Sequence, residues 1–314
     1  MCQKALLLDF PKAIISNGLI EATLYLPDKQ TGYYRATRFD WSGVIGSLEY
    51  NGHSYFGQWF ENYDPYKHDA IVGPVEEFTP LGFESIGVGG EFVQIGVGSL
   101  RRPDSQEYNR FSLYEIINYG SWTVNSHDNN VEFIHRLAGG SGYSYEYQKV
   151  VSLTAGRPEL VLEHQLENTG SQVIETSVYN HNFFMIDSEP TGPAIRTIFP
   201  FDVHAEGRGF GILAEAVNNE IQYLRQLRES EHVYSSGLQG FGDTAEDYDI
   251  RIENRKTGAG VRIKGDQPLE KLVFWSSSTT SCPEPYIRLR VEPGEVITWS
   301  IVYEFYTSLT KYDQ

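Results

Sequence analysis

Apolar and polar residues alternate in twos along much of this chain. Tyr143, Tyr145 and Tyr147 interleave with Ser144, Glu146 and Gln148, and Val131, Phe133 and His135 interleave with Glu132, Ile134 and Arg136. Ile287, Leu289 and Val291 do the same with Arg288 and Arg290. Successive side chains of a β-strand point to opposite faces, so a repeat of two marks strands with one buried face. The run ending at Val291 meets Pro293-Gly294, and the chain resumes at Val296 through Trp299, Ile301, Tyr303 and Phe305. That order of strand, turn and strand predicts a hairpin. Further turn signals fall at Asn51-Gly52, Gly139-Gly140, Asn168-Thr169-Gly170 and Lys256-Thr257-Gly258. Short alternating runs broken this often predict an all-β sandwich of antiparallel sheets. One segment departs from the pattern: Leu213, Val217, Ile221, Leu224 and Leu227 have near-helical spacing and predict a single helix. No linker, charge block or solenoid repeat divides the chain, so one domain is expected across residues 1–314.

Composition supports sheet and narrows the partners. Tyr (21) and Phe (17) far outnumber Met (2), the balance strands favour. Lys plus Arg number 25 against 42 Asp plus Glu, a formal charge of −17. A field of that sign repels phosphate backbones and anionic lipid surfaces, so neither nucleic acid nor a membrane is an expected partner. A phosphorylated small substrate is disfavoured less, because a local arginine cluster can override the global field. The only cysteines are Cys2 and Cys282, and with one at the N-terminus neither a structural disulfide nor a zinc motif is expected. No apolar stretch approaches the roughly 20 residues of a membrane span. The first apolar run is too short for a signal-peptide core, and the expected location is cytoplasmic.

Many catalytic signatures are missing. There is no phosphate loop, GxGxxG, HExxH, GxSxG or EF-hand loop, and the eight histidines are scattered. Neither a metal nor a cofactor is therefore expected, which leaves acid–base chemistry by His and carboxylates. Two stretches could carry it. His181 sits in Val178-Tyr179-Asn180-His181-Asn182-Phe183-Phe184, where flanking amides could orient its ring; an ordinary pKa near about 6.5 suits proton transfer. A satisfied core histidine would look the same. Glu284 sits in Ser281-Cys282-Pro283-Glu284-Pro285-Tyr286, where two prolines stiffen the backbone around one carboxylate. An ordinary edge glutamate is the other reading.

Together these stretches resemble the galactose mutarotase-like superfamily, the aldose 1-epimerases and their relatives. Gly43-Val44-Ile45-Gly46-Ser47-Leu48 with Asn51-Gly52 is similar to the family's opening strand and turn. Leu162-Glu163-His164-Gln165-Leu166-Glu167-Asn168-Thr169-Gly170 resembles the strand leading to its asparagine-containing turn, and Asn180-His181-Asn182-Phe183-Phe184 resembles its Asn-His-x-Tyr-Phe segment. Pro283-Glu284-Pro285 resembles the segment with the catalytic glutamate, and Val291-Glu292-Pro293-Gly294-Glu295 the turn before the last strand. The resemblance implies a β-supersandwich with a sugar cleft, His181 as general acid and Glu284 as general base, and no cofactor.

Two departures bear on the substrate. The family's second histidine has no counterpart between Gly87 and Gly98, which leaves Glu91 or Gln94 as candidates for that face. Where the family has a substrate arginine, the chain reads Gly73-Pro74-Val75-Glu76-Glu77-Phe78. Other expected cleft residues follow from the chemistry of sugars, whose apolar faces stack on aromatic rings while polar side chains fix the hydroxyls. Trp59, Tyr286 and Trp275 are candidates for stacking, with Trp275 equally a core residue. Arg38, His68, Glu76, Glu77, Asn180 and Asn182 are candidates for hydroxyl contacts. Arg101-Arg102 reads as a solvated loop or an anion grip, and Lys149 as an inward polar residue. The functional expectation is an aldose 1-epimerase-like isomerase acting on a small sugar. The alternatives are a carbohydrate-binding protein without turnover, or an enzyme of the same fold acting on a different or larger saccharide.

Overall fold

Strand propensity and turn chemistry agree along most of the chain, and its regular secondary structure is almost entirely sheet. The computed structural model describes residues 10–307. Cys2 and the apolar run at residues 5–8 lie outside the described residues; Cys282 is buried and has no disulfide partner among the described residues.

Among the described residues two large antiparallel sheets carry the architecture. One has ten strands in the order Ala214–Val217, Glu220–Tyr223, Ile195–Ile198, Asp249–Asn254, Ala259–Gly265, Val296–Tyr306, Glu159–Asn168, Ser144–Leu153, Asn130–Ala138 and Ser121–Ser126. The other has five: Val233–Ser235, Lys271–Ser276, Ser281–Val291, Ile174–Phe183 and Gly73–Phe78. Two smaller sheets, of four and three strands, come from the first part of the chain. The turn expected at Pro293-Gly294 is present, but its flanking strands do not form a hairpin: Ser281–Val291 pairs with Ile174–Phe183 and Lys271–Ser276 in the smaller sheet, and Val296–Tyr306 with Glu159–Asn168 and Ala259–Gly265 in the larger, so the turn carries the chain from one sheet to the other. The core fills the space between the two. Phe133, Tyr147, Leu162 and Ile301 of the larger sheet pack in one cluster with Val178, Leu272, Ile287 and Leu289 of the smaller.

Alternation shows which faces are covered. Ser144–Leu153 buries every second residue, as a sheet with one wet face should. Ser281–Val291 is buried on both faces as far as Ile287, and Gly73–Phe78 along its whole length. A second apolar cluster covers the far side of the five-stranded sheet, with Phe39, Val75, Phe183 and Cys282 among its members. The smaller sheet is thus faced by the main core on one side and by a cleft and its walls on the other.

The helix expected at 213–227 is a β-hairpin. Ala214–Val217 and Glu220–Tyr223 pair antiparallel, joined at Asn218-Asn219 with Asn218 in the left-handed region (φ 53). Only Ile221 and Tyr223 of the second strand face inward, whereas Val217 and Leu224 are exposed. The helical stripe would have buried residues that the sheet leaves outside.

The two large sheets are also joined by charge. Lys149 of the larger sheet is fully buried, and its ammonium contacts the Glu76 carboxylate of the smaller. Lys149 Nζ also donates to Ser42 O at 3.1 Å and lies 3.9 Å from Asp40 Oδ2. His164 Nε2 and Asn180 Nδ2 each lie 3.0 Å from Glu76 Oε1. Burial raises the Glu76 carboxyl, but Lys149 and His164 outweigh it and hold the group at about 2. Burial wins at Asp40, which is raised to about 7 against the pull of Lys149. Removing one partner of a buried pair strands the other charge. Lys149→Met is therefore expected to lower unfolding stability by about 3–5 kcal/mol in urea titrations; a loss below about 1 kcal/mol would show that the pair is dispensable.

Candidate functional site

The pleat divides the work of strand Ile174–Phe183. Tyr179, His181 and Phe183 face the cleft, while Val178, Asn180 and Asn182 face the interior. On the neighbouring strand Glu284 and Tyr286 share the cleft face. His181 Nε2 lies 3.4 Å from Glu284 Oε1, and the rings of Tyr179 and Tyr286 stack at 4.2 Å.

The prolines explain why this pair of strands opens where it does. Regular pairing between Ile174–Phe183 and Ser281–Val291 runs from Ile174↔Val291 to Tyr179↔Tyr286 and stops. The next residues of the second strand are Pro285 and Pro283, flanking Glu284, and proline has no N–H for the ladder. The strand's other edge stays paired with Lys271–Ser276 through Leu272↔Pro285, Val273↔Glu284 and Phe274↔Pro283. Across the gap a side chain replaces the backbone: Asn182 Nδ2 donates to Pro283 O at 2.9 Å, and Tyr303 OH donates to Asn182 Oδ1 at 2.9 Å. Contact resumes at the bridge Phe184↔Ser281. His181 and Glu284 sit above this interruption.

Both groups are removed from water. His181 stacks on Phe183 at 3.8 Å and meets the edges of Phe39 and Trp275. Its Nδ1 is buried without a hydrogen-bond partner in the protein. Burial, with Arg38 and Arg110 nearby, holds the imidazole well below its ordinary pKa. Burial pushes the Glu284 carboxyl up to about 7, with Glu77 adding to the rise and Arg38, Arg110 and Lys271 opposing it. Behind the pair, Glu77 binds two cations: Arg38 Nε at 2.7 Å and Arg110 Nε at 3.1 Å. The Tyr179 hydroxyl donates to Glu77 at 2.5 Å and accepts from Arg38 at 3.0 Å.

These residues border a cavity of about 800 Å³. His181, Glu284, Tyr286 and Arg38 line it, together with the aromatic rings of Trp59, Phe183 and Trp275 and with His68, Arg110 and Phe111. Among the described residues no group of three or more His, Cys, Asp or Glu is placed to hold a metal ion.

No family sequence model matches the chain, and no curated protein matches it in sequence. Solved structures do match it. A protein from Synechocystis sp. PCC 6803, Slr1438, superposes with a TM-score of 0.57 at 14% identity over 98% of this chain and 100% of its own. The GalM/aldose epimerase homologue of C. elegans gives 0.56 at 13% identity over 95% and 99%. A galactose mutarotase-like protein of Clostridium acetobutylicum gives 0.56 at 15% identity over 93% and 94%. The chain has the galactose mutarotase-like fold.

Within this mutarotase-like fold, Arg38, Trp59, His68 and Tyr286 line the same cavity as His181 and Glu284. Trp275, read as either a stacking or a core residue, also borders it. The other expected hydroxyl contacts lie elsewhere. Glu77 sits behind Arg38 and Arg110. Glu76, Asn180 and Asn182 face the interior, where they bind Lys149, each other's strands and Tyr303. Gln94 donates to Phe78 O, Glu91 accepts from Gly140 N, Arg101 pairs with Glu115 and Arg102 caps the carbonyls of Phe83 and Ile86.

Arg110 and Lys271 line the cavity without having been expected there. Tyr108-Asn109-Arg110-Phe111 offered a signal: an arginine between aromatics in a stretch with no strand alternation. Lys271 offered none.

Two stability measurements test this architecture. Asn182→Ala removes the donor to Pro283 O and one acceptor of the Tyr303 hydroxyl, and is expected to cost about 1–3 kcal/mol in urea denaturation. Glu284 has its folded pKa raised above the unfolded value, so its contribution to stability is fully present below about pH 4.5 and is lost as pH rises through about 7. Glu284→Gln is therefore expected to gain stability over wild type across that window, reaching about 3 kcal/mol above pH 7. Parallel melting curves from pH 4 to 8.5 check it; a pH-independent difference would be contrary evidence.

Proposed function

We propose that this protein interconverts the anomers of a cyclic aldose by acid–base ring opening and reclosure, with His181 as acid and Glu284 as base. The 3.4 Å His181–Glu284 contact at the aromatic-walled cavity is the observation that carries the reading. Glu284 takes the proton from the anomeric hydroxyl. The electron pair left on that oxygen forms the carbonyl as the bond from C1 to the ring oxygen breaks. His181 gives its proton to the ring oxygen. After rotation about C1–C2 the same steps run in reverse on the other face of the carbonyl, and both side chains return to their starting states. Proton transfers by placed groups contribute about 10²–10⁴-fold each. Trp59 and Trp275 supply faces for the sugar ring, and Arg38 is fixed by Glu77 and Tyr179 to meet a hydroxyl. The names of the structural neighbours support the same class of chemistry.

The reaction needs one proton on the pair. Burial favours its uncharged partition, with the proton on Glu284 and a neutral His181. The working form carries that proton on His181, so the two forms share one protonation count and titrate as a pair.

NMR exchange spectroscopy on a panel of aldoses is expected to show catalysed anomer exchange. Glu284→Gln and His181→Asn should each lower it by about 10²-fold or more while circular dichroism stays unchanged. Tight sugar binding without acceleration on any aldose would instead establish a binding protein. The value of kcat/KM is expected to fall as pH rises through about 7, where the pair loses its single proton, and again at low pH, where it gains a second. A flat profile through pH 7 would count against the shared-proton pair.

A further inference from the structure

We propose that the cleft is built for a sugar carrying an anionic substituent, a phosphate or a carboxylate, held by Arg110 and Lys271 beside the Tyr286 ring. The sugar part rests on the acid–base reading above; the anion site rests on the following observations.

The balance of charge changes sign in the cavity. Over the whole chain 42 acidic residues face 25 basic ones. The cavity lining reverses that order, with Arg38, Arg110 and Lys271 against Asp69 and Glu284. Part of the positive charge is already used. Glu77, behind the lining, is shared by Arg38 and Arg110, and Arg38 is almost wholly buried in that contact. Arg110 is held less completely. Its Nε takes Glu77, its NH1 reaches the Tyr179 and Tyr286 hydroxyls only at 3.4 Å each, and about 36% of its side chain stays exposed. Lys271 pairs with no carboxylate among the described residues; its Nζ lies 5.4 Å from the centroid of the Tyr286 ring. Two donors with spare capacity therefore converge on one phenol that itself borders the cavity.

Such an arrangement suits an anion and fits a neutral sugar poorly. A guanidinium offers a planar fork to phosphate or carboxylate oxygens, and an ammonium adds a compact charge. Hydrogen bonds to ionised groups are worth roughly twice those between neutral ones. The cations also act on the proposed base: Arg38, Arg110 and Lys271 all pull the Glu284 carboxyl down. A neutral substrate leaves that pull in place, whereas a bound anion offsets it and strengthens Glu284 as a base. The local cations also offset the repulsion that a chain of charge −17 exerts on an incoming anion.

The experiment compares a neutral hexose, its 6-phosphate and its uronic acid on the full chain. Anomer exchange is followed by NMR, and binding to the Glu284→Gln variant by calorimetry at low and high salt. At low salt at least one anionic sugar is expected to exceed the neutral parent by about tenfold or more in both kcat/KM and affinity, with the gap narrowing as salt rises. Preference for the 6-phosphate identifies a phosphoryl site, and preference for the uronic acid a carboxylate site. Lys271→Met keeps the aliphatic stem at an exposed position and should collapse the ratio of anionic to neutral sugar towards one; Arg110→Gln should do the same where its fold is intact. Equal or better handling of the neutral hexose by wild type, or an unchanged preference in Lys271→Met, overturns the proposal. Tighter binding of an anionic sugar with no exchange on any substrate would remove the epimerase reading and leave the anion site standing.

Discussion

Proline's missing amide hydrogen is the constraint on which this site depends. In most of the five-stranded sheet the backbone ladder sets the distance between neighbouring strands, leaving little freedom for side chains to approach across it. Pro283 and Pro285 end that ladder beside Glu284, and the Asn182 side chain spans the gap with one hydrogen bond to Pro283 O. The cleft face then presents His181 and Glu284 3.4 Å apart, with both groups still anchored on strands rather than loops. Placement on strands fixes the relative geometry of the two side chains at little further cost in entropy. The cost is a carboxyl whose ionisation works against burial.

The opposite faces of the same strands serve different ends. Glu77 is on the cleft side of the sheet but behind the cavity lining, where it ties down two arginines, whereas its neighbour Glu76 faces inward and meets Lys149. His181 faces the cleft, while Asn180 and Asn182 on either side of it anchor the strand to Glu76 and to Pro283. The interior charges therefore brace the cleft strands from behind without lining the cavity. Tyr303 extends this bracing into the ten-stranded sheet through Asn182.

Much of the fold was legible in the sequence because a repeat of two is a local property. Tyr143 to Gln148 and Ile287 to Val291 report their own strand faces, and Pro293-Gly294 its own turn. The segment at 213–227 misled because a spacing of three to four residues also arises when an Asn218-Asn219 turn joins two short strands. His181, Glu284, Arg38 and Trp59 were legible as candidates, and the structure places them around one cavity. Asn180 and Asn182 were grouped with His181 by nearness in sequence, although strand alternation sends them to the other face. Glu76 and Glu77 separate for the same reason. Arg110 had a local mark, its place between aromatics outside any strand alternation, whereas Lys271 reaches the cavity through its pairing with Tyr286 and no local pattern marks it.

The place of the last described strand bears on how the molecule is assembled. Val296–Tyr306 lies inside the ten-stranded sheet, between Glu159–Asn168 and Ala259–Gly265, with registers such as Leu162↔Ile301 and Ile263↔Tyr303. The strands of that sheet which precede residue 170 can form hairpins early, but they have no link to those that follow residue 190 until this strand enters between them. Closure of such distant contacts is slow, because loop entropy is lost before the contacts repay it. During synthesis the Glu159–Asn168 edge stays open until nearly all of the described chain has emerged, which makes it the surface on which premature pairing between copies would start.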